Sequence, residues 1–215
     1  MATNGQTAYV YESLKKKINE GFYSPAENLR EATLAKEYSV SRNTVKKALL
    51  MLEADAYVTI EQNKGARVRS YSKTEVLEFL SLREVIEGFV VSLTAKLISD
   101  DEIKDLNNKL DIMAEKLRTE DFLGYSALNQ KFHEVIYSIC PNRMAVEILI
   151  KLKNQMKKYN SKSILIPGRR DTSLGEHKAI LAALAEHDPE KARELTQKHI
   201  HNVYETYDKY YDILF

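Results

Sequence analysis

Apolar residues recur at helical spacing along nearly the whole chain and at strand spacing in one short place. In "VSRNTVKKALLML" (40–52), Val45, Ala48, Leu49 and Leu52 fall at i, i+3, i+4 and i+7, one stripe to bury. Arg42, Asn43, Lys46 and Lys47 point away from that stripe. Upstream, "YVYESLKKKINEGFY" carries Val10, Leu14 and Ile18 on a period of four and predicts a helix stopped at Gly21. Residues 1–6 are small and polar and are expected to fray. Ser24-Pro25 predicts a turn, and "REATLAKEYSV" a short helix with Leu34, Ala35 and Tyr38 inward. Ser39 to Ser41 reads as a tight break, with Ser41 placed to cap a helix that starts at Arg42 and ends near Ala54. The β-forming runs "AYVTI" and "ARVRS" flank polar "EQNKG", which predicts a hairpin. Three helices followed by a hairpin is the order of a winged helix-turn-helix.

Beyond Ser70 no strand pattern appears. A linker is read over 71–74 within "SYSKTEV". Helical stripes then cover 73–98, 100–118, 121–139, 142–162, 171–187 and 188–212, with "SILIPGRR" interrupting at 163–170. Asp100-Asp101, Asp171 and Asp188-Pro189 suit helix starts, their charge complementing the dipole. The fold class is therefore mainly α. Residues 1–70 form a winged helix-turn-helix with a small β-hairpin wing, and 75–215 an all-α bundle of six helices.

Net charge is only +1 over the 215 residues, but it is unevenly spread. Residues 1–70 hold eleven Lys/Arg against eight Asp/Glu, whereas 71–215 hold twenty-one against twenty-three. A basic excess confined to one end suggests an attached polyanion-binding module. The 42–54 helix sharpens this, because no acid lies between Arg42 and Glu53, whereas a solvated surface helix usually mixes both signs. A DNA major groove admits one helix and is read by side chains near its N-terminal end. Arg42, Asn43, Thr44 and Lys46 lie there; Arg42 suits a guanine and Asn43 an adenine or a phosphate. Lys47, Lys64 and Arg67 suit phosphates, and Gln62, Asn63 and Lys64 at the wing tip suit a minor groove. The blander alternative is a solvated basic helix in some other small domain. The lone Cys140 excludes an internal disulfide framework, fits a reducing cytoplasm and is read as a small buried hydrophobe. The N-terminus lacks secretory character, and charge breaks every apolar run too early to span a bilayer, so no membrane partner is expected.

Three of the five histidines fall on apolar stripes. His133 adjoins Phe132 and Ile136, with Asn129 one turn earlier; His177 sits with Leu174, Ile180, Leu181 and Leu184; His199 lines up with Leu195 and Val203. Three imidazoles from three helices can thus face one interior, while His187 and His201 fall off the stripes and are expected to be exposed. That arrangement suits a divalent transition metal, zinc first and nickel next, with Asn129 adding an amide oxygen. Satisfied core histidines lining a polar pocket are the alternative. Arg83 sits among Phe79, Leu80, Leu82 and Ile86 and needs an anion, either Glu87 at i+4 or the carboxylate of a bound effector. The tyrosines at 204, 207, 210 and 211 follow helical spacing and read as packing at the bundle end.

Residues 8–69 resemble the winged-helix domain of GntR-family transcriptional regulators, through "VYESLKKKINEGFYSPAENL", "LAKEYSVSRNTVKKALLMLEADAYV" and the "NKGARV" wing. Residues 75–212 resemble the FCD effector domain of the fatty-acid-responsive branch, through "LREVIEG", "NQKFHEVIYSICPN", "GEHKAILAAL" and "ARELTQKHI". The resemblance implies a ligand-responsive cytoplasmic regulator and, by family habit, a repressor. It further implies a homodimer on a palindromic double-stranded operator. The effector would be a small organic or sugar acid, and the metal would lie on His133, His177 and His199. Four departures stand out. Ala56 replaces a common Gly, Ala32 a common basic residue, Lys46 a usual Arg, and Asn129 the Asp that usually opens the metal pattern. Two rival functions share the same residues. One is a metal sensor in which the ion is the signal. The other is a metalloenzyme, which lacks an obvious general base because Glu134 and Glu176 adjoin histidines but are expected to point elsewhere.

Overall fold

Helices dominate both of the compact units seen in a computed structural model, which describes residues 2–61, 65–155 and 166–214. One unit is carried by residues up to Ser72 and the other begins at Lys73.

In the first unit, α1 (Ala2–Asn19), α2 (Glu31–Glu37) and α3 (Arg42–Ala54) close on a small antiparallel sheet. Its strands are β1 (Asn28–Leu29), β2 (Val58–Glu61) and β3 (Gly65–Val68), in the order β1-β3-β2. Val58 pairs with Val68 and Ile60 with Ala66, while Leu29 pairs with Ala66 from the other side. The helical stripes and the inward strand positions meet in one core. Val10, Leu14, Ile18, Leu34, Val45, Leu49, Leu52, Val58 and Val68 are all buried there. Alternation explains the wing: in β3, Ala66 and Val68 face in while Gly65 and Arg67 face out.

Three expectations change. Helix α1 begins at Ala2, so the first residues are helical instead of frayed. Strand β1 is a third strand with no pattern of its own, since two residues are too few for periodicity to register. The linker at 71–74 is shorter than expected: α4 begins at Lys73, and the buried Tyr71 donates its hydroxyl to the Ala56 carbonyl. The predicted cap at Ser41 forms, with its Oγ accepting from Thr44 N at 3.1 Å.

The second unit contains α4 (Lys73–Ala95), α5 (Asp100–Arg118), α6 (Phe122–Ile139), α7 (Arg143–Gln155), α8 (Arg169–Ala185) and α9 (Pro189–Leu214). Their caps follow the sequence. Ser99 and Glu102 make a reciprocal capping box on α5, Asp121 accepts from Gly124 N on α6, and Asp188 accepts from Lys191 N on α9. Helix α4 ends three residues short of its predicted limit. Helix α8 starts at Arg169 instead of Asp171, because Gly168 takes a left-handed conformation that turns the chain into the helix. The last stretch predicted for α7 lies outside the described residues. Helices α4 and α9 pack antiparallel: Lys73 reaches Asp208 at one end, and further along Gly88 lies against Gln197 and Arg193. A Cβ on Gly88 would come within 2.8 Å of Gln197 Cγ, so this glycine sets how closely the two long helices approach. Val90, Val91, Leu106, Leu110, Met113, Phe132, Ile136, Leu149, Ile180 and Leu184 form the bundle core.

Ala56 occupies the turn from α3 into β2 with φ +59°, a region that disfavours any residue with a Cβ. Relief of that strain explains why glycine suits this position. Ala56→Gly is expected to raise stability by about 0.5–1 kcal/mol, after allowance for the freer unfolded chain. Urea denaturation of the two proteins checks it, and a loss of stability in the glycine variant would show that the turn is unstrained.

Candidate functional site

Helix α3 presents two faces. Val45, Ala48, Leu49 and Leu52 are buried, whereas Arg42, Asn43, Lys46 and Lys47 are exposed. Thr44 belongs to the buried set: it is 4% exposed, and its hydroxyl is engaged with Ser41 Oγ. It is therefore removed from the base-reading set. A residue at the first turn of a capped helix is drawn toward the cap, which the stripe argument overlooked. On β3, Arg67 is exposed and donates through Nε to Asn28 Oδ1 at 3.2 Å, which fixes the guanidinium beside the sheet edge. Gln62, Asn63 and Lys64 at the wing tip lie outside the described residues.

The second unit gathers His133, His177 and His199 from α6, α8 and α9. One ring nitrogen from each lies within 4.8 Å of the others, and all three residues are buried. His133 Nε2 and His177 Nε2 are 3.1 Å apart. The outer nitrogens are held by carboxylates. His133 Nδ1 is 3.2 Å from Glu87 Oε1, and His199 Nδ1 is 2.5 Å from Glu176 Oε2. Such contacts fix the ring and leave Nε2 facing inward. His187 and His201 are exposed, as their spacing indicated.

Each carboxylate has its own counter-charges. Glu87 is fully buried; it accepts from Arg83 Nε at 2.5 Å and from the Tyr137 hydroxyl, with Lys153 Nζ at 3.9 Å. Burial opposes its charge, but Arg83, then Lys153 and His133, hold the carboxyl well below its usual range. Glu176 accepts from Asn202 at 2.7 Å and pairs with Arg169 Nη2 at 3.0 Å. Lys153 donates to Tyr137 at 2.7 Å, and burial pulls its ammonium down to about 8. Burial pushes His133 down to about 3 and His177 well below the normal imidazole range. It also lowers His199, against the opposing pull of Glu176. All three rings are therefore neutral near pH 7, the form that offers a lone pair.

Some of this was legible in advance and some was not. The three histidines come together as their stripes implied. Asn129 lies one turn before His133, and its Oδ1 is buried with no hydrogen-bond partner among the described residues. Arg83 is held on Glu87. Glu134 is exposed, whereas Glu176 turns away from its neighbour His177 and serves His199. Glu87, Glu176, Tyr137, Lys153 and Arg169 had not been singled out as one network. A usable signal was present: Arg169, Ser173 and His177 repeat the i, i+4, i+8 spacing of Tyr125, Asn129 and His133. Three neutral imidazoles, two of them braced by carboxylates, suit a borderline divalent cation, and an unpartnered amide oxygen lies one turn before His133 on α6.

The neutral histidines set a pH dependence for the metal-free protein. Unfolded imidazoles take up protons below about 6.5, while the folded rings, His133 and His177 above all, take them up only at lower pH. Stability is thus lost as pH falls from about 6.5 toward the folded values, by up to about 1.4 kcal/mol per pH unit for each ring. Chelator-treated protein is expected to denature at clearly lower urea at pH 5 than at pH 7, and His177→Gln to flatten the difference. Equal midpoints at the two pH values would mean that the rings are not held neutral.

Comparison with known proteins fits this architecture. Residues 6–68 match the gntR family of bacterial regulatory proteins, and residues 78–202 match the FCD domain. Among curated relatives, the chain is 27% identical to the HTH-type transcriptional regulator YdhC of Bacillus subtilis, over 89% of this chain and 86% of that protein. It is 26% identical to the HTH-type transcriptional repressor GlaR of Escherichia coli, over 88% and 90%. It is 28% identical to the gluconate operon transcriptional repressor of Bacillus subtilis, over 74% and 63%. The same fold occurs in E. coli McbR/YncC, with a TM-score of 0.75 at 21% identity over 95% of this chain and 98% of that one. It occurs again in a putative GntR regulator from Rhodococcus, with a TM-score of 0.72 at 23% identity over 94% and 96%. These relatives are regulators of transcription, not enzymes, which sets the metalloenzyme reading aside. A winged helix-turn-helix with an exposed cationic reading helix, joined in one chain to an FCD bundle, makes this protein a member of the GntR family of transcriptional regulators, in its FCD branch.

Proposed function

We propose that this chain is an effector-responsive repressor. It binds a palindromic operator as a homodimer through α3 and the wing, and releases it when the bundle takes up a small organic or sugar acid. The observation that carries the reading is the exposed face of α3. Arg42, Asn43, Lys46 and Lys47 stand there without an acid, on a helix whose opposite stripe is sealed in the core. In this reading Arg42 and Asn43 meet base edges and Lys46 contacts a base or a phosphate as a point charge, while Lys47 and Arg67 hold phosphates. Gln62, Asn63 and Lys64 are assigned to the minor groove on sequence grounds alone.

A second copy is supported by α4, where Leu82, Val85 and Phe89 form an exposed apolar stripe at i, i+3 and i+7. An acid is supported by charge. The buried polar centre holds the cations Arg83, Lys153 and Arg169 against the anions Glu87 and Glu176, an excess that favours an anionic guest. The gluconate operon repressor among the relatives makes sugar acids sensible first probes. The reading places a divalent metal, zinc before nickel, on His133, His177 and His199, with Asn129 as a neutral oxygen ligand. When bound, the ion would supply a Lewis-acidic point for the acid's oxygen atoms. The effector acts by favouring one arrangement of the chain over another, and the short connection near Ser72 is where such a change would be absorbed. Among the described residues no helix is long and apolar enough to cross a membrane, in keeping with a cytoplasmic regulator.

Arg42→Ala is expected to weaken specific operator binding by about 1–3 kcal/mol while leaving non-specific binding nearly unchanged. Fluorescence anisotropy on operator and scrambled duplexes at fixed salt measures both. Equal weakening on the two duplexes would assign Arg42 to a phosphate instead.

Removal of metal by a chelator is expected to lower the melting temperature of the full chain, and one equivalent of zinc to restore it. Operator affinity should change little on chelation. Affinity that instead tracked free zinc would make the ion the signal, and no zinc uptake at all would remove the metal from the site.

A further inference from the structure

Strand β1 is only two residues long, but its outward face continues past its end. Asn28 pairs with Arg67 across the strands, and Leu29 with Ala66. Leu29 and Ala66 are buried on the core side, whereas Asn28 and Arg67 are exposed on the other. Arg30 keeps an extended backbone, with φ −83° and ψ 120°, before the chain turns into α2. Side chains alternate along extended chain, so Arg30 returns to the face of Asn28 and Arg67, and it is exposed. Carried on by one residue, the register sets Arg30 opposite Gly65. Nothing on Gly65 screens it: even a Cβ there would meet only the Leu29 carbonyl oxygen, at 4.0 Å. Arg30 and Arg67 are thus diagonal neighbours across the strand pair, on one open face.

Neither guanidinium is neutralised from within. Elsewhere in this unit Lys16 pairs with Glu20 and Lys17 with Glu37. Among the described residues, Arg30 has no ion pair and no side-chain hydrogen bond. Arg67 spends its Nε on the neutral amide of Asn28 at 3.2 Å, which steadies the group without cancelling its charge. The neighbouring acids are engaged or distant. Glu27 accepts from Ser24 N, and Glu61 lies beyond β3, on the far strand of the sheet. Position then gives Arg30 its meaning. Helices α2 and α3 are the two helices of the helix-turn-helix, and only residues 38–41 separate them. In that motif the second helix enters the major groove while the first crosses the phosphate backbone. Arg30 is the residue from which the first helix springs.

We propose that Arg30 is a phosphate contact of the DNA complex, acting with Arg67 as a two-arginine clasp on the backbone. This rests on the preceding reading of α3 and the wing as the DNA-binding surface, and adds to it a residue that belongs to neither. A guanidinium suits the task, because its planar fork matches a phosphate bidentately and its charge does not titrate away. The clasp contributes affinity and orientation without sequence information, so it positions α3 and leaves the bases to Arg42 and Asn43.

Fluorescence anisotropy of the full chain at KCl concentrations from about 50 to 200 mM tests the assignment. The probes are a duplex enriched by wild type from a random-sequence pool and a scrambled duplex of the same composition, with melting temperatures measured alongside. Arg30→Ala is expected to weaken both duplexes by a similar factor, about 3–10-fold near 100 mM KCl. It should also reduce the slope of log affinity against log salt by about 0.9 for each copy of the chain bound. Arg30→Lys keeps the charge and should keep the slope. Lys16→Ala removes an exposed cation from α1 and should leave the slope as in wild type. An unchanged slope in Arg30→Ala would overturn the proposal. So would an equal loss of slope in Lys16→Ala, which would make the effect one of overall charge. Weakening confined to the enriched duplex would make Arg30 a reader of bases and overturn it as well. Should Arg30→Ala melt early, Arg30→Gln, which keeps most of the side chain's length, decides by the same slope. If wild type enriched no duplex from the pool and bound none near 50 mM KCl, the reading of α3 as a DNA-binding helix would fall, and this assignment with it.

Discussion

The effector unit depends on one arrangement: three imidazoles kept neutral inside an apolar bundle and braced from outside by two carboxylates. An isolated buried carboxylate would be strongly destabilising. Glu87 is tolerated because Arg83, Tyr137 and Lys153 surround it, and Glu176 because Arg169 and Asn202 do. Break one partner and the cost is that of an unpaired buried charge, on the order of 3–5 kcal/mol, far more than any exposed ion pair of this chain contributes. Five helices supply these groups, so the charge network and the packing of the bundle depend on each other.

The DNA-reading unit rests on a simpler constraint. A thirteen-residue helix is marginal by itself, and α3 is held by its buried stripe and by Ser41 at its start. Burying Val45, Ala48, Leu49 and Leu52 fixes the rotation of the helix, and that rotation decides which cations face outward. Exposed cations and core residues are therefore set by the same periodicity. Thr44 shows the limit of that rule, since proximity to the cap drew it inward.

The substitutions that distinguish this chain from the pattern it resembles fall at functional edges. Asn129 replaces a carboxylate with an amide, which leaves the histidine centre more positive by one charge than an Asp would. Lys46 keeps a charge but gives up the planar fork of an arginine, a change that bears on which bases are read more than on whether DNA is bound.

By itself the sequence determined the helices, the exposed cationic face of α3, the hairpin and the three histidines, because each is a local period or a cap that neighbouring residues express. It could not place β1, whose two residues carry no period, nor the start of α8, which depends on a left-handed Gly168. Above all it could not pair Glu87 with His133 or Glu176 with His199, or leave Arg169 with donors to spare while Arg83 was engaged. Those partnerships join residues many turns apart on different helices. Only the packing of α4, α6, α8 and α9 against one another sets the few ångströms on which a hydrogen bond depends.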